Sequence, residues 1–306
     1  MKLAYVEKYN RRFVAVRKEN QYVDLSLTAM GWNGGLTELL ALGEEGLRPA
    51  KHAVDAAPEA AFVDPESVTY LRLNEPTCIT CVGSNYAEHI RERGRPFPKE
   101  PSCFIKTLSA FSAHKQALEC PANSVELDYE VELAVVIGRA GRYVSIEDAL
   151  NYVAGYTIMN EGSVRDFQGR YNNVSLGKNF PKSGALGPEL VTVDELPAGA
   201  EGLRIGTRVN GVTVQDSTTT DLVFDVPMLI SLVSHTVGLQ PGDIIATGTP
   251  SGVGAARVPP LWLKAGDQIE MYIEGVGTLS NYVVDAPEPG MGHRYDRAIY
   301  APKVAE

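Results

Sequence analysis

The sequence predicts a β-rich α+β fold, with a small α+β unit leading into a larger, strand-dominated domain. Twenty-nine glycines and nineteen prolines are spread along the 306 residues, which favours many turns and short strands over a helical bundle. Apolar runs of strand length recur between these breakers, at 78–82, 102–106, 129–137, 152–159, 203–209, 243–247 and 268–273. Helical spacing is confined to short stretches at 87–93, 146–150, 163–170 and 226–234.

Taken in order, residues 1–72 read as the small unit, with strands at 3–6, 12–17 and 22–24 followed by helices at 36–42 and 46–57. Pro65 and the Asn74-Glu75-Pro76 turn mark its end, leaving 73–306 as the second domain. Within that domain, Asn210-Gly211 between Val209 and Val212 predicts a type I′ hairpin, because both residues tolerate positive φ. From Pro287 onward the chain is rich in Pro, Gly and charge, and it is expected to wrap over the surface or a partner subunit. There is no internal repeat.

A hydrophobic fraction of 44% and a charged fraction of 22% are those of a soluble globular protein. The net charge of −10 argues against nucleic acid or an anionic membrane as partner. The longest apolar runs, such as 133–137 and 227–233, fall short of a membrane span. The first residues read as a strand rather than a leader, so the expected compartment is cytoplasmic. Cys78 and Cys81 have zinc or redox spacing, but no second pair completes a site, and they lie in an apolar run where cysteine serves as a small core residue.

The chemistry begins at 127–137. In a strand, Leu127, Tyr129, Val131, Leu133, Val135 and Ile137 share one face, and Asp128, Glu130 and Glu132 share the other. Carboxylates about 4 Å apart repel by roughly 4 kcal/mol at an effective dielectric near 20, and a cation relieves that repulsion. Oxygen-only ligands select a hard ion: Mg²⁺, with Mn²⁺ or Ca²⁺ as alternatives. A solvated acidic strand face is the competing reading. Glu161 follows the strand at 152–159 and serves either as a further ligand or as a charge at a helix start. His89 and Glu92 are three apart on a helical stretch, so the carboxylate can fix one imidazole nitrogen and leave the other as a base; a surface ion pair is the alternative. Lys178 stands in Gly177-Lys178-Asn179-Phe180. The glycine-rich 246–254 lacks the ending of a phosphate loop and presents Thr249 to a small oxyanion instead. His52, His114, His235 and His293 have no metal-type spacing and read as structural.

In chain order, Val82-Gly83-Ser84-Asn85-Tyr86…His89…Glu92, Phe104…Lys106, Glu130…Glu132, Gly155-Tyr156-Thr157…Arg165-Asp166…Gln168, Gly177-Lys178…Phe180 and Thr247-Gly248-Thr249-Pro250…Gly252-Val253-Gly254 resemble the fumarylacetoacetate hydrolase superfamily. The resemblance covers about 77–285, and it is similar to a branch holding bacterial acylpyruvases and 2-hydroxyhepta-2,4-diene-1,7-dioate isomerases. It implies a mixed β-sandwich roll for the larger domain. It also implies Glu130, Glu132 and Glu161 as metal ligands, His89 and Glu92 as a water-activating pair, and Lys178 as a catalytic cation. Tyr86, Arg165, Gln168 and Thr249 would contact substrate. Two positions depart from the pattern: Glu161 stands where aspartate is usual, and Ser84 where many relatives carry arginine. The implied activity is hydrolytic C–C cleavage of a 2,4-dioxo acid through a metal-stabilised enolate, by a homodimer acting on small 2-oxo or dioxo acids. Decarboxylation of a 2-oxo acid and isomerisation or tautomerisation of a hydroxymuconate-type acid use the same parts. A non-catalytic protein binding metal and a small acid is the reading from another class.

Overall fold

Strand Val131–Ile137 is buried at every position, and the main sheet is built outward from it in a computed structural model that describes residues 1–170 and 174–287. It pairs antiparallel with Val153–Asn160 on one side and with Ile244–Ala246 on the other. Beyond Ile244–Ala246 lie Ile79–Gly83, in parallel register, and then Ser102–Lys106. In the opposite direction Val153–Asn160 pairs with Gly184–Thr192, which pairs in turn with Lys2–Lys8. The strands of the first unit, Lys2–Lys8, Arg11–Lys18 and Gln21–Asp24, therefore continue the same twelve-stranded sheet. The helices Leu36–Ala41 and Glu44–Asp55 follow them.

A second sheet has the order Val212–Thr218, Arg204–Val209, Gln268–Ile273, Gly277–Asp285 and Ala117–Cys120. Its inward residues Ile205, Ile269, Met271 and Leu279 form one apolar core with Val131, Leu133 and Val135 of the main sheet. Period-two alternation sends Ala134 and Val136 to the opposite face, where a separate core gathers them with Leu3, Val14, Leu36 and Leu39 of the first unit. Both faces of the central strand are thus covered, and its carboxylates cannot be a solvated acidic face. The mixed, strand-rich, two-sheet architecture agrees with the expected fold class.

Several elements differ from expectation. The strand expected at 129–137 is interrupted: Leu127–Asp128 pairs with Ser163–Val164 in a separate ribbon, and the main-sheet strand starts at Val131. Side chains take over the ladder at the break, where Asp128 Oδ1 accepts the Tyr129 N–H at 2.9 Å and Asn160 Oδ1 accepts the Glu130 N–H at 3.2 Å. Because Ser163–Val164 is extended, the helix expected from 163 starts at Arg165. The helix expected at 146–150 is reduced to a 3₁₀ turn at Ala149–Tyr152. Gly184–Thr192 and Gly277–Asp285 are long strands that the apolar pattern did not announce, since Gly187-Pro188 breaks one and polar residues crowd the other. The Asn210-Gly211 hairpin forms as expected, with φ of 51° and 77° and Val209 opposite Val212. All four cysteines are free, with Cys81 buried and Cys78 partly so. The expected wrapping tail at 288–306 lies outside the described residues.

Candidate metal and acid-binding site

Strand pairing assembles the acidic centre. Val131 opposes Asn160 across the sheet, so Glu130 and Glu161, one residue beyond each, meet at the same end of the pair, and the Glu161 N–H donates to Glu130 O at 2.8 Å. Glu132 faces the same space from within its strand. One carboxylate oxygen from each of Glu130, Glu132 and Glu161 lies within 4.8 Å of the others, and all three residues are buried. Gly162 allows the backbone crossing beside Glu161, since a Cβ there would stand 1.9 Å from Ser183 O.

The cations around this centre are unevenly shared. Lys178 Nζ donates to Glu130 Oε2 at 2.8 Å and also to Glu161 Oε2. Lys106 Nζ, itself buried, reaches Glu161 Oε1 at 2.8 Å and Gly162 O at 2.9 Å. Arg165 donates to Asp128 Oδ2 at 2.8 Å, to Gln168 Oε1 at 2.9 Å and to Glu130 Oε1. Glu132 receives only the Gly248 N–H, at 3.0 Å, and no cation among the described residues. The consequences appear in the titration of the three acids. Burial alone would raise Glu130, but Arg165 and Lys178 outweigh it and hold that carboxyl well below the usual range. Burial, reinforced by Glu161 and Glu130, pushes Glu132 well above it. Burial pushes Glu161 up to about 7 against the pull of Lys106 and Lys178.

Four carboxyl groups, with Asp128 included, thus meet three cations, so full ionisation would leave surplus negative charge at Glu132, where burial and the neighbouring acids oppose it. An all-oxygen donor set with surplus negative charge fits a hard divalent cation, and Glu130, Glu132 and Glu161 are the residues that would hold it.

A cavity of about 130 Å³ opens onto this centre, and His89, Arg165, Gln168, Lys178 and Thr249 line it together with the three glutamates. His89 Nδ1 and Glu92 Oε1 lie 2.7 Å apart on helix Ala87–Glu92, and the Glu92 carboxylate also accepts the Gly252 N–H at 3.0 Å. Glu92 therefore pins both the imidazole and the glycine-rich loop. Larger clefts of about 770 and 640 Å³ lie along the first unit and hold no such carboxylate cluster among the described residues.

Tyr86, expected to contact substrate, is fully buried with the inter-sheet core and is not one of the residues lining the cavity. Its hydroxyl has no hydrogen-bond partner among the described residues, and burial, then Glu132, raises its pKa. Its extended backbone bridges to Leu222. Sequence reasoning gave no role to Lys106, although it quoted the residue in a motif. It likewise gave no role to Asn85, quoted in another motif, and it missed Gln215; these two polar residues hold the loops. Asn85 donates to Phe224 O at 2.9 Å and Thr247 O at 2.8 Å. Gln215 donates to Thr249 Oγ1 at 3.0 Å and accepts the Val131 N–H at 3.2 Å. A polar residue amid strand signals was the only cue to Gln215.

Buried carboxyl groups ringed by lysines and an arginine at the end of a sandwich core are a polar centre of the kind found in enzymes, with an oxygen donor set suited to a hard cation. The chain belongs to the fumarylacetoacetate hydrolase family: residues 78–284 match the model of the fumarylacetoacetate (FAA) hydrolase C-terminal domain. It is 43% identical over 252 residues to a Bos taurus protein named oxaloacetate tautomerase FAHD2A, mitochondrial, covering 81% of this chain and 79% of that one. Among solved structures it resembles a putative HpcE protein from Mycobacterium smegmatis, with TM-score 0.82 and 36% identity, covering 94% of this chain and 100% of that one. It also resembles maleylpyruvate hydrolase from Sphingobium sp. SYK-6 in complex with manganese (II) ion and pyruvate, with TM-score 0.76 and 28% identity over 94% of this chain and all of that one. The expected membership is therefore shown, and with it an enzyme family whose members include hydrolases, isomerases and tautomerases. Among the described residues no helix is long and apolar enough to cross a membrane.

Proposed function

We propose that this chain catalyses keto–enol tautomerisation of a small 2-oxo acid, using a divalent cation, with Mg²⁺ or Mn²⁺ as the first ions to try and oxaloacetate as the first substrate. The observation that carries this reading is the placing of one proton-transfer group, His89, at the wall of a small cavity whose floor is the Glu130–Glu132–Glu161 cluster. The 43% identity with a relative named oxaloacetate tautomerase supports the choice of reaction. A cation held by the three glutamates would supply Lewis acidity toward a chelated 2-oxo carboxylate. Lys178, buried and raised in pKa by Glu130 and Glu161 against the effect of burial, stays protonated and adds positive charge where oxygen gains electron density. The side chain of Glu92 holds His89 Nδ1, which leaves Nε2 to carry a proton between the carbon beside the oxo group and the oxo oxygen, the double bond shifting from C–O to C–C or back as it does so. Thr249, fixed by Gln215, and Arg165 with Gln168 line the walls that orient the acid.

The test is the decay of the enol absorbance of oxaloacetate with stripped and Mg²⁺-restored protein. Metal-dependent acceleration without CO₂ or a second organic fragment is expected. No acceleration by the loaded protein would sink the reading. Hydrolytic C–C cleavage remains the second reading, favoured by the same His89–Glu92 pair, which is equally suited to activate water. Two organic fragments from an acylpyruvate, in place of enol decay, would select it.

A further inference from the structure

The cations that line the cavity fall into two sets. Lys178 and Arg165 at the floor are committed to Glu130, Glu161 and Asp128. Arg93 and Arg95 at the mouth are not: among the described residues Arg93 has no hydrogen-bond partner for its guanidinium, and Arg95 reaches only Ser84 Oγ, at 3.5 Å.

Backbone geometry, rather than chance, holds both at the mouth. Helix Ala87–Glu92 ends with Arg93 as its cap, followed by Gly94 at φ +60°. The Gly94 N–H then bonds Arg91 O at 3.0 Å, and the Arg95 N–H bonds Ile90 O at 3.1 Å. These are the two bonds of a Schellman turn, and buried Ile90 anchors it. The turn sets the two arginines either side of one glycine. Burial, then Arg165 and Arg95, lower the Arg93 pKa, while Glu92 and Asp128 offset only part of that, so the mouth carries unrelieved positive charge. Glu92 is not free to relieve it, because its oxygens already accept the Gly252 N–H and meet His89.

We propose that Arg93 and Arg95 form a subsite for a second carboxylate, so that the acid bound at this centre is a short diacid rather than a monoacid with an apolar tail. This rests on the reading of the floor as a 2-oxo-acid site. Both sets line the same small cavity, of about 130 Å³, so one short acid could meet the two of them. A planar guanidinium pairs with carboxylate in a fork, which makes the contact directional as well as charged. Since His89 lies one turn earlier on the same helix, the diacid's far end also sets the position of the proton-transfer group.

Malate and lactate test this directly, as hydroxy acids that differ only in the distal carboxylate. Calorimetry on Mg²⁺-loaded wild type is expected to show malate binding about tenfold or more tighter than lactate. Arg93→Gln with Arg95→Gln should erase that preference and leave lactate within about twofold, while Arg93→Lys keeps part of it. An unchanged thermal transition will show that the variants fold. Equal wild-type affinity for the two acids, or a preference that survives in the double variant, overturns the proposal. The reaction is separable: a malate preference lost in the double variant, with no enol turnover by wild type, upholds the subsite and removes the tautomerase reading. Wild-type turnover of oxaloacetate with KM unchanged in the double variant does the reverse.

Discussion

Glu130 and Glu161 share Lys178, and Glu161 has Lys106 as well, whereas Glu132 lies buried with a single backbone donor. Neutralising Glu132 should therefore act in opposite directions on stability and on metal binding. Glu132→Gln is expected to stabilise the metal-free chain by about 1–3 kcal/mol in urea denaturation, because folding no longer has to suppress the ionisation of a buried acid that the unfolded chain leaves free to ionise. The same variant should weaken Mg²⁺ or Mn²⁺ binding by calorimetry at least tenfold; stability and affinity falling together would contradict the charge balance. His114 supplies a separate pH dependence. Its Nδ1 accepts the Ser280 N–H at 3.0 Å, its ring packs edge-on against Tyr70, and burial, then Lys115, lowers its pKa from 6.5 to about 4. Below pH 6.5 the unfolded chain takes up a proton that the folded chain refuses until about pH 4, so stability falls with pH across that window by up to roughly 3 kcal/mol. His114→Asn keeps an acceptor for Ser280 and should flatten that part of the stability–pH curve. At this scale the proximity of His89 to Glu92 was legible because three residues on a helix share a face. The pairing of Lys106 with Glu161, whose strands have three others between them in the sheet order, was not, and adjacency to Asn85 could not say that Tyr86 is fully buried.

At the scale of elements, the short-range signals were read more surely than the pairing. Strands Ser102–Lys106 and Gln268–Ile273 appear at their expected bounds, since continuous or alternating apolar residues mark them. Gly184–Thr192 was hidden because its role is set by neighbours on both sides, Val153–Asn160 and Lys2–Lys8, rather than by its own alternation. The break at Tyr129–Glu130 was hidden for a related reason, as the groups that replace the ladder come from Asp128 and from Asn160 on another strand. The crossing at Gly162 gives the sharpest test of this level. Gly162→Ala would drive a methyl against Ser183 O and displace the backbone that carries Glu161. A loss of about 2–3 kcal/mol in urea denaturation is expected, together with weaker metal binding. A variant with native stability and metal affinity would mean that the two strands can part there without moving the carboxylate.

Across the whole molecule, the expected division near residue 72 falls within one hydrogen-bonded framework, because Lys2–Lys8 lies against Gly184–Thr192 and the first unit covers the outer face of the central strands. Removing residues 1–72 would bare a strand edge and the apolar face around Ala134, Val136 and Leu190. The fragment 73–306 is expected to elute from size exclusion as aggregate; a monodisperse, cooperatively unfolding fragment would show that the larger part stands alone. The lysines at the acidic centre carry a last implication. Lys178 already bridges Glu130 and Glu161, and Lys106 pairs with Glu161, so much of the repulsion between these two acids is answered by residues that arrive with the chain. The polypeptide could then reach its native shape first and take up a divalent cation afterwards, so that starvation for such an ion would silence the site reversibly rather than collapse the fold.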